Sequence, residues 1–494
     1  MRIDLSAMRS AIRFLARAAC VAIAASALPR AGAAQSSPGP GPGAVDRQLA
    51  RDIFRELIEI NTTDSLGNTP RAARAMAQRL LAAGFPAADV RVLIGPDAKH
   101  GNLVARYRGT GARGGAGAGA RPIIVFAHLD VVPARRADWS VDPFTFLEKD
   151  GYFYGRGTTD NKAGAAMLVA DFVRLRRAGF KPRRDLVLIL EGDEETAGSC
   201  IAWLVAKHRD LIDAEFALNT DAGGGVLRDG RRVMFVVQAS EKVYASYVLE
   251  ATDKGGHSSL PRPADNPVYR LAPVLERLAQ YQFPVKLNEV SRAFFERSAV
   301  LESGSLADDM RGVLKDPPDS AAVAHLSAVP FYNSKLRTTC VATMMQAGHA
   351  ENALPQSARV TINCRILPGE PASEVAATLR RLAGDDRMTL RETNTPIPSP
   401  PSPLTPAIMG PIEQLAADQF PNVPVVPVME AGATDGLFLR NAGIPTYGVS
   451  AVFEEQNDVR AHGRDERLSV QSFYDALEFW YRMMQAFTSE RLTR

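Results

Sequence analysis

The stretch 186-LVLILEGDEETAGS-199 joins a short apolar run to a crowded group of acidic residues. An apolar run of this length is typical of a strand that is buried on both faces of a parallel sheet. Four carboxylates follow it directly: Glu191, Asp193, Glu194 and Glu195. Carboxylates this close repel one another unless water solvates them or a cation balances their charge. The stretch therefore predicts a buried strand that ends in a solvated turn or in a cation site.

The composition of the chain sets broad limits on its class. Its 494 residues are enough for about two to four domains. Apolar residues make up 46% and charged residues 23%, which is ordinary for a soluble globular protein. The net charge is only +3, and no basic stripe is interleaved with aromatic residues. We therefore expect neither a nucleic-acid partner nor a membrane partner.

The first 34 residues have the features of a secretory signal peptide. Four arginines precede or flank the start of an apolar segment at 18–28, and Ala31-Gly32-Ala33 supplies a cleavage site of small residues. No other stretch reaches the ~18 apolar residues that a membrane helix requires. We expect a signal peptide at 1–34, a linker rich in proline and glycine at 35–45, and a mature protein that is exported to a periplasm or secreted.

Three cysteines would remain after cleavage of the signal peptide: Cys200, Cys340 and Cys364. Their odd number allows at most one disulfide, and Cys340 with Cys364 is the favoured pair. Three buried thiols that behave as small apolar side chains are the alternative interpretation. Their spacing does not match a zinc site built from cysteines.

The pattern of apolar residues changes twice along the chain. In residues 46–242, short apolar runs alternate with helical patterns, which favours an α/β sheet covered on both sides. In residues 243–395, apolar and polar residues alternate as in half-exposed antiparallel strands. The proline-rich stretch 395-TPIPSPPSP-403 behaves as a stiff boundary, after which the α/β pattern resumes. The sequence thus predicts one domain in two parts, 46–242 and 396–494, with an α+β domain inserted between them.

Residues with metal-binding side chains recur where the predicted strands end, and two polar loops add further examples. A single aspartate before a helix is usually a cap, and a single histidine is usually a satisfied surface or core residue. Recurrence at three strand ends of one sheet favours function, because open α/β sheets bind ligands at that edge. Two imidazoles, two terminal carboxylates and one bridging carboxylate suit a two-zinc site with room for a water. The candidates are His128, Asp130, Asp160, Glu194, Glu195, Asp221 and His462.

Four motifs resemble those of a known family: 126-FAHLDVVP-133, 155-GRGTTDNKAG-164, 191-EGDEETAGS-199 and 219-NTDAGG-224. In this order and at these spacings they are similar to the M20 metallopeptidases, which include aminoacylases, carboxypeptidases and dipeptidases. The resemblance extends from about residue 45 to the end of the chain. It implies an αβα zinc-peptidase catalytic domain with an inserted α+β ferredoxin-like domain that acts as a lid and in dimerisation.

The resemblance also implies a centre of two zinc ions. His128 and Asp221 would hold one zinc, and Glu195 and His462 would hold the other. Asp160 would bridge the two ions. Ligands of this mixed imidazole and carboxylate type suit zinc, although cobalt or manganese could replace it.

Three further roles follow from the same resemblance. Asp130 would orient His128, as carboxylates commonly do for metal-bound histidines. Glu194 would be the general base, taking a proton from the water between the metals and passing it to the leaving amine. The peptide bond between Asp160 and Asn161 would be cis.

The inserted domain supplies more residues to the implied site. His257, in 253-DKGGHSSLP-261, matches a histidine that stabilises the tetrahedral oxyanion and in many relatives comes from the neighbouring subunit. Asn352 and Arg365 match residues that contact the free carboxylate of the substrate, for which a guanidinium fork is well shaped. For Arg365 the alternative is a surface charge on a strand. Gly432 would give backbone contacts to the substrate.

One departure from compact relatives is an insert of helical and irregular sequence at about 280–333. It resembles the longer branch that includes vacuolar carboxypeptidase S and the secreted N-acyl amino acid hydrolases. Because compact dimeric relatives lack this insert, the homodimer through the lid and the subunit that supplies His257 stay open.

The function that we expect is an exported di-zinc metallohydrolase of the carboxypeptidase or N-acyl amino acid hydrolase type. It would cleave a peptide or N-acyl amide bond beside a free carboxylate of a small substrate. A dipeptidase of the same family is the first alternative. A non-catalytic exported binding protein is the second, although such a protein would be free to lose Glu194.

Overall fold

The computed structural model of the protein describes residues 41–112, 120–196 and 198–489. The signal peptide predicted at 1–34 and most of the predicted linker lie outside the described residues. Across the described ranges, no helix is both long enough and apolar enough to cross a bilayer.

Most helices present one apolar stripe to the interior. In the last helix, Phe473, Leu477, Trp480 and Met484 are buried at spacings of three and four residues, so one face packs on the core. The described ranges contain α1 (Ala44–Glu59), α2 (Thr69–Ala82), α3 (Lys162–Arg177), α4 (Ser199–Lys207), α5 (Arg209–Ile212), α6 (Pro267–Gln280), α7 (Glu289–Leu301), α8 (Gly304–Gly312), α9 (Ser320–Ser327), α10 (Pro330–Leu336), α11 (Ala372–Ala383), α12 (Pro406–Gln419), α13 (Gly436–Asn441) and α14 (Val470–Thr488).

The strands form two large sheets and two small ones. In chain order they are β1 (Val90–Ile94), β2 (Gly101–Tyr107), β3 (Ile123–His128), β4 (Leu147–Lys149), β5 (Tyr152–Tyr154), β6 (Leu186–Glu191), β7 (Phe216–Asn219), β8 (Gly224–Arg228), β9 (Arg231–Glu241), β10 (Val243–Thr252), β11 (Gly256–His257), β12 (Thr339–Ala347), β13 (Ala353–Leu354), β14 (Ser357–Ile366), β15 (Thr389–Glu392), β16 (Val425–Glu430), β17 (Thr446–Gly448), β18 (Phe453–Glu455) and β19 (Arg467–Ser469).

The larger sheet has ten strands in the order β1-β2-β6-β3-β7-β17-β9-β8-β18, with β16 paired to β9. Its central strands β3, β6 and β7 are parallel and every residue in them is buried. Alternate residues of β6 face opposite sides: Leu188 packs in one hydrophobic cluster with α1, α3 and α14, and Ile189 packs in another with α4 and α13. The mixed α/β fold with helices on both faces is therefore confirmed.

The second sheet is antiparallel, with four strands in the order β12-β14-β10-β15. Helices α6 and α11 cover one face and share a separate hydrophobic cluster with it. Cys340 on β12 lies directly opposite Cys364 on β14, and the two form a disulfide. Cys200 is free and buried. All four strands fall within the range predicted for the inserted domain, whereas a role as a lid stays a prediction.

The insert predicted at about 280–333 packs differently from its expected place in the lid. Its helices α7 to α10 lie against the large sheet, where Phe294 and Phe295 share a cluster with Val426 and Val428 of β16. Chain order suggested the lid because lid segments flank the insert. The insert instead covers apolar side chains of β16 and β9, and burial of that surface stabilises its position.

We expect Phe295→Ala to lower the free energy of unfolding by about 3–5 kcal/mol, because it removes a fully buried ring between α7 and the large sheet. Chemical denaturation followed by circular dichroism measures this. The matched variant Phe331→Ala, whose residue is 53% exposed on α10, should change it by no more than about 1 kcal/mol. Equal effects of the two substitutions would contradict the packing of the insert on the sheet.

Candidate active site

The predicted site residues converge because parallel strands end at a common edge of the large sheet. Strands β3 and β6 pair in register, with His128 opposite Glu191, and β7 runs parallel to β3 on its other side. The turns that follow these strands carry Glu194, Glu195 and Asp221. The edge predicted from the strand ends is therefore the edge where these side chains meet.

Five side chains form a continuous group through Asp160. One oxygen of Asp160 is 2.8 Å from Nε2 of His128, and the other is 3.0 Å from Nε2 of His462. Asp221 lies 3.3 Å from His128, and Glu195 lies 2.9 Å from His462. Asp160 thus sits between two pairs, each of one imidazole and one terminal carboxylate.

The charges of this group call for a cation. Hydrogen bonds to Asp160 and Glu195 raise the pKa of His462 to about 10. Burial opposes protonation of His128, but the charge of Asp221 and hydrogen bonds to acidic neighbours raise its pKa well above the usual value. Both shifts have the same cause: the neighbouring carboxylates favour positive charge at this place, which a bound cation would also supply.

The donor set fits divalent metal ions. Among the groups of candidate ligand atoms that lie within 4.8 Å of one another, two belong to this site: His128 with Asp160 and Glu195, and His128 with Glu194 and Asp221. Oε1 of Glu195 is buried and has no hydrogen-bond partner. An orphaned buried carboxylate oxygen beside imidazole nitrogens is a suitable ligand for zinc or a similar ion.

The two halves of the group differ in exposure. The side chain of His128 is 2% exposed, whereas that of His462 is 57% exposed. His462 therefore faces solvent, whereas the side chain of its partner Glu195 is only 5% exposed. The peptide bond from Asp160 to Asn161 is cis, as expected, and the amide of Asn161 donates to Asp221 at 3.0 Å.

Asp130 holds more than the histidine that it was expected to orient. Its backbone oxygen is 3.1 Å and its carboxylate 3.4 Å from Nδ1 of His128. The same carboxylate accepts hydrogen bonds from the backbone N–H groups of Glu194 at 3.1 Å and Glu195 at 2.9 Å. One buried aspartate thus fixes both a histidine and the turn with the paired glutamates.

The environment of Glu194 suits a general base. Burial, followed by the negative charge of Asp221, raises its pKa well above the usual value for a glutamate. A carboxylate whose pKa moves toward neutrality accepts and returns protons more readily than an ordinary one. Glu194 and Glu195 are neighbours, yet only Glu195 pairs with His462.

The other two carboxylates of the acidic stretch shape its turn. Asp193 is fully buried and accepts from the backbone N–H groups of Ser199 at 2.9 Å and Cys200 at 2.7 Å, which satisfies the start of α4. Glu191 accepts from the backbone N–H of Asp193 at 2.8 Å. Neither was predicted as a ligand.

Glu466 is a positioning residue that the sequence analysis missed. It is fully buried and accepts from Arg156 at 2.7 Å and from the backbone N–H groups of Gly157, Thr159 and Asp160 at 3.0, 2.7 and 3.2 Å. These bonds tie the loop of Asp160 to the loop that carries His462. The only signal was its place at the end of 458-DVRAHGRDE-466, where it resembled a surface charge.

An open cavity of about 550 Å3, the substrate pocket, adjoins the metal-binding group. Its wall includes Glu194, Glu195 and His462, together with the predicted residues Arg365 and Gly432. The predicted residues His257 and Asn352 do not line it. Both are exposed: His257 lies on β11 and Asn352 directly precedes β13, and the backbone N–H of Ser258 donates to the backbone oxygen of Asn352 at 3.0 Å.

A buried lysine, Lys242, lines this pocket together with Arg365. The guanidinium of Arg365 lies 4.7 Å from the ring centre of Tyr244, and burial lowers its pKa. Lys242 is fully buried and donates to the backbone oxygen of Arg337 at 2.6 Å. Burial, then the charges of Lys335 and Arg365, lower the pKa of Lys242 to about 7. The sequence analysis did not identify Lys242 or Tyr244.

The proline-rich stretch 395–403 is part of this pocket as well as a connection. Thr395, Ile397 and Ser399 line it. Ser399 donates to the buried carboxylate of Glu241 at 2.9 Å, and Arg440 forms an ion pair with the same carboxylate. Fixed in this way, the stretch adds an apolar wall.

Comparison with known proteins agrees with this geometry. The model of Peptidase family M20/M25/M40 matches residues 124–486. The chain belongs to this family. It is therefore an enzyme of the M20 metallopeptidases and related hydrolases, and metal dependence is a property of that family.

Two curated relatives and one solved structure illustrate the similarity. The N-fatty-acyl-amino acid synthase/hydrolase PM20D1 of Homo sapiens is 29% identical over 379 residues, which cover 74% of each chain. The probable carboxypeptidase S-like 2 of Dictyostelium discoideum is 28% identical over 396 residues, covering 78% of this chain and 75% of the relative. The M20 family metallo-carboxypeptidase Sso-CP2 of Sulfolobus solfataricus shares the fold, with a TM-score of 0.65, 17% identity and coverage of 89% of this chain and 99% of the other.

We expect the two neighbouring glutamates to separate metal binding from chemistry. Glu195→Gln should reduce the bound metal, because it replaces a charged ligand that pairs with His462. Glu194→Gln should keep the metal and lower kcat by about 10²–10⁴-fold, the usual contribution of a general base. Metal analysis of both purified variants beside initial rates checks this. Native rates from Glu194→Gln would exclude its role as base.

We expect Glu466→Gln to weaken metal affinity or activity by roughly 10–100-fold, because the loop of Asp160 loses its charged acceptor. Competition with a chelator, followed by metal content, measures the affinity. The matched control Glu296→Gln, at an exposed position on α7, should behave as the wild type. A Glu466→Gln protein with unchanged affinity and rate would show that the clamp is dispensable.

Proposed function

We propose that the enzyme hydrolyses the amide bond of N-acyl amino acids, releasing a carboxylic acid and an amino acid. The observation that carries this proposal is the composition of the substrate pocket. Glu194 and the metal-binding group stand on one side, Arg365 on the other, and apolar side chains line the wall near them. A substrate that matches has an amide, a free carboxylate and an apolar acyl chain.

The metal ions that we propose are two zinc ions. Paired divalent ions of this kind supply a water of lowered pKa and polarise the carbonyl of an amide. Asp160 would lie between them, with His128 and Asp221 on one side and Glu195 and His462 on the other. The alternation of imidazole and carboxylate around Asp160 supports this assignment.

Glu194 carries the proton in the proposed reaction. Its carboxylate accepts a proton from the attacking water and then donates it to the nitrogen of the leaving amino acid. The C–N bond of the amide breaks, and the acyl group leaves with the oxygen of the water. Since burial already favours the protonated form of Glu194, it can return the proton within the same cycle.

Arg365 supplies recognition of the free carboxylate. A guanidinium can form two parallel hydrogen bonds with a carboxylate, which sets the distance from the charge to the scissile bond. The ring of Tyr244 supports the guanidinium from one face. Lys242 lines the same pocket, and its lowered pKa of about 7 leaves Arg365 as the stronger cation there.

The apolar wall favours an acyl substrate over a dipeptide. Tyr244, Ile397, Leu437 and Phe438 line the pocket, and Tyr244 and Ile397 are 44% and 42% exposed. Such side chains bind an acyl chain by burial of apolar surface. A dipeptidase would require a partner for the α-amino group of its substrate. The human relative, an N-fatty-acyl-amino acid synthase/hydrolase, is consistent with an acyl substrate.

Export is part of the proposal. The signal peptide predicted at 1–34 supports it, and so does the disulfide between Cys340 and Cys364, since disulfides persist mainly in oxidising compartments. We also propose a homodimer through the inserted domain. In it, the exposed His257 of one copy would reach the substrate pocket of the other.

We expect N-decanoylglycine to be hydrolysed with a higher kcat/KM than N-acetylglycine or a dipeptide, because its chain buries more apolar surface in the pocket. Decanoylglycinamide, which lacks the carboxylate, should be the poorer substrate. Arg365→Met should weaken use of N-decanoylglycine by roughly 10–100-fold, as loss of a charged hydrogen bond implies. It should leave the amide analogue unchanged. Preference for dipeptides would favour the dipeptidase instead.

A further inference from the structure

A second cavity lies beside the inserted sheet, between the end of α6 and the start of β12. Its volume is about 560 Å3, within the roughly 300–1,000 Å3 typical of small-molecule sites. None of its lining residues lines the substrate pocket. We call it the α6–β12 cavity.

One wall of the α6–β12 cavity contains a buried guanidinium that has no anionic partner. Arg337 is 4% exposed. It donates to Oε1 of Gln282 at 2.8 Å, to the oxygen of Phe283 at 3.1 Å and to Oγ of Ser327 at 2.8 Å. Its Nε is buried without a partner, and no carboxylate of the described residues forms an ion pair with it. Burial alone lowers the pKa of Arg337.

A buried cation of this kind is costly unless an anion balances it. The guanidinium has five N–H groups, and three hydrogen bonds leave two of them unused. Asn333, in the same lining, has a buried Oδ1 without a partner. Rotation of this amide would present its NH2 group to an anion beside Arg337. The polar end of the cavity is therefore built for an acceptor that the chain does not supply.

Apart from Gln282, Thr338 and Thr339, the remaining lining is mainly apolar, and it contains no acidic residue. Leu275 and Leu278 of α6 form part of it. Tyr281 and Phe283 add two rings packed edge to face, with centres 5.0 Å apart. The cavity thus combines one unsatisfied cation with a surface suited to a hydrocarbon.

We propose that the α6–β12 cavity binds a fatty acid, with its carboxylate on Arg337 and its chain against α6. The anion supplies the acceptor that the guanidinium lacks, and the chain covers the apolar lining. An N-acyl amino acid has the same chemistry, a carboxylate joined to an apolar chain. The free acid fits better, because a single carboxylate leaves no amide to desolvate among the apolar side chains. This site does not depend on the reaction proposed for the substrate pocket.

The test is calorimetric titration of decanoate into the purified protein. We expect one site to bind in the Arg365→Met variant, where the substrate pocket has lost its own carboxylate partner. Arg337→Met should weaken this site by roughly 10–100-fold, the effect of losing a charged hydrogen bond. Decan-1-ol, which lacks the carboxylate, and acetate, which lacks the long chain, should both bind far more weakly.

A second variant guards against misfolding of Arg337→Met. Ala279 is exposed on α6 and lines the cavity, so Ala279→Trp fills the space without disturbing the core. It should abolish decanoate binding at this site. The matched Ala324→Trp, at an exposed position of α9 outside the lining, should retain it.

Three results would overturn the proposal. The first is absence of decanoate binding in Arg365→Met. The second is unchanged affinity in folded Arg337→Met and in Ala279→Trp. The third uses N-decanoylglycine, titrated into Glu194→Gln because this variant should not hydrolyse it. If N-decanoylglycine binds at Arg337 and decanoate does not, the cavity is a site for an acyl amino acid.

Discussion

Repulsion among carboxylates at one edge of the large sheet is the constraint on which the site depends. Several acidic side chains meet there with one buried imidazole, that of His128, and one exposed imidazole, that of His462. Three supporting carboxylates accept hydrogen bonds from backbone N–H groups: Asp130 from the turn of the paired glutamates, Asp193 from α4 and Glu466 from the loop of Asp160. Backbone donors thus balance the supporting acids, and the charge that is left favours cations.

Charge is also separated across the substrate pocket. Acidic groups stand at the strand ends of the large sheet, and Arg365 stands on β14 of the inserted sheet. Apolar side chains lie in the same wall, which lowers the local dielectric and strengthens each interaction. A substrate with its own negative end is oriented by this field before any contact at the scissile bond. The two parts of the fold therefore contribute opposite charges to one recognition event.

Local patterns predicted the parts of the site that sit directly after strands. His128, Glu195 and Asp221 each follow an apolar run, so their common edge could be inferred from the sequence. Arg365 and Gly432 came from the family resemblance alone, because a strand surface charge and a loop glycine have no local signature. The clamp by Glu466 could not be inferred, since its partners lie in a loop about 300 residues earlier and only folding brings them together.

The position of the insert also could not be predicted from the sequence, because it depends on contacts with residues far away in the chain. The sequence predicts an insert of helical and irregular sequence at about 280–333, but periodicity does not say which apolar surface its helices cover. Val426 and Val428 belong to a later strand, so the covering surface is far away in the chain. The stretch 395–403 is a related case. Its proline content predicted a connection between domains, but the buried hydrogen bond from Ser399 to Glu241 also holds it in the wall of the substrate pocket.

Packing of the insert on the large sheet has a mechanical consequence. The chain enters the inserted sheet at Val243, leaves it after Gln280 for the insert, returns at Thr339 and leaves again after Glu392. A body joined to its neighbour at two points can swing about the line between them. A body joined at four points can swing only if all four points lie on one axis, or if the connecting backbone bends at each point. The chain geometry therefore makes the inserted sheet stiffer against the large one than a simple two-strand hinge would.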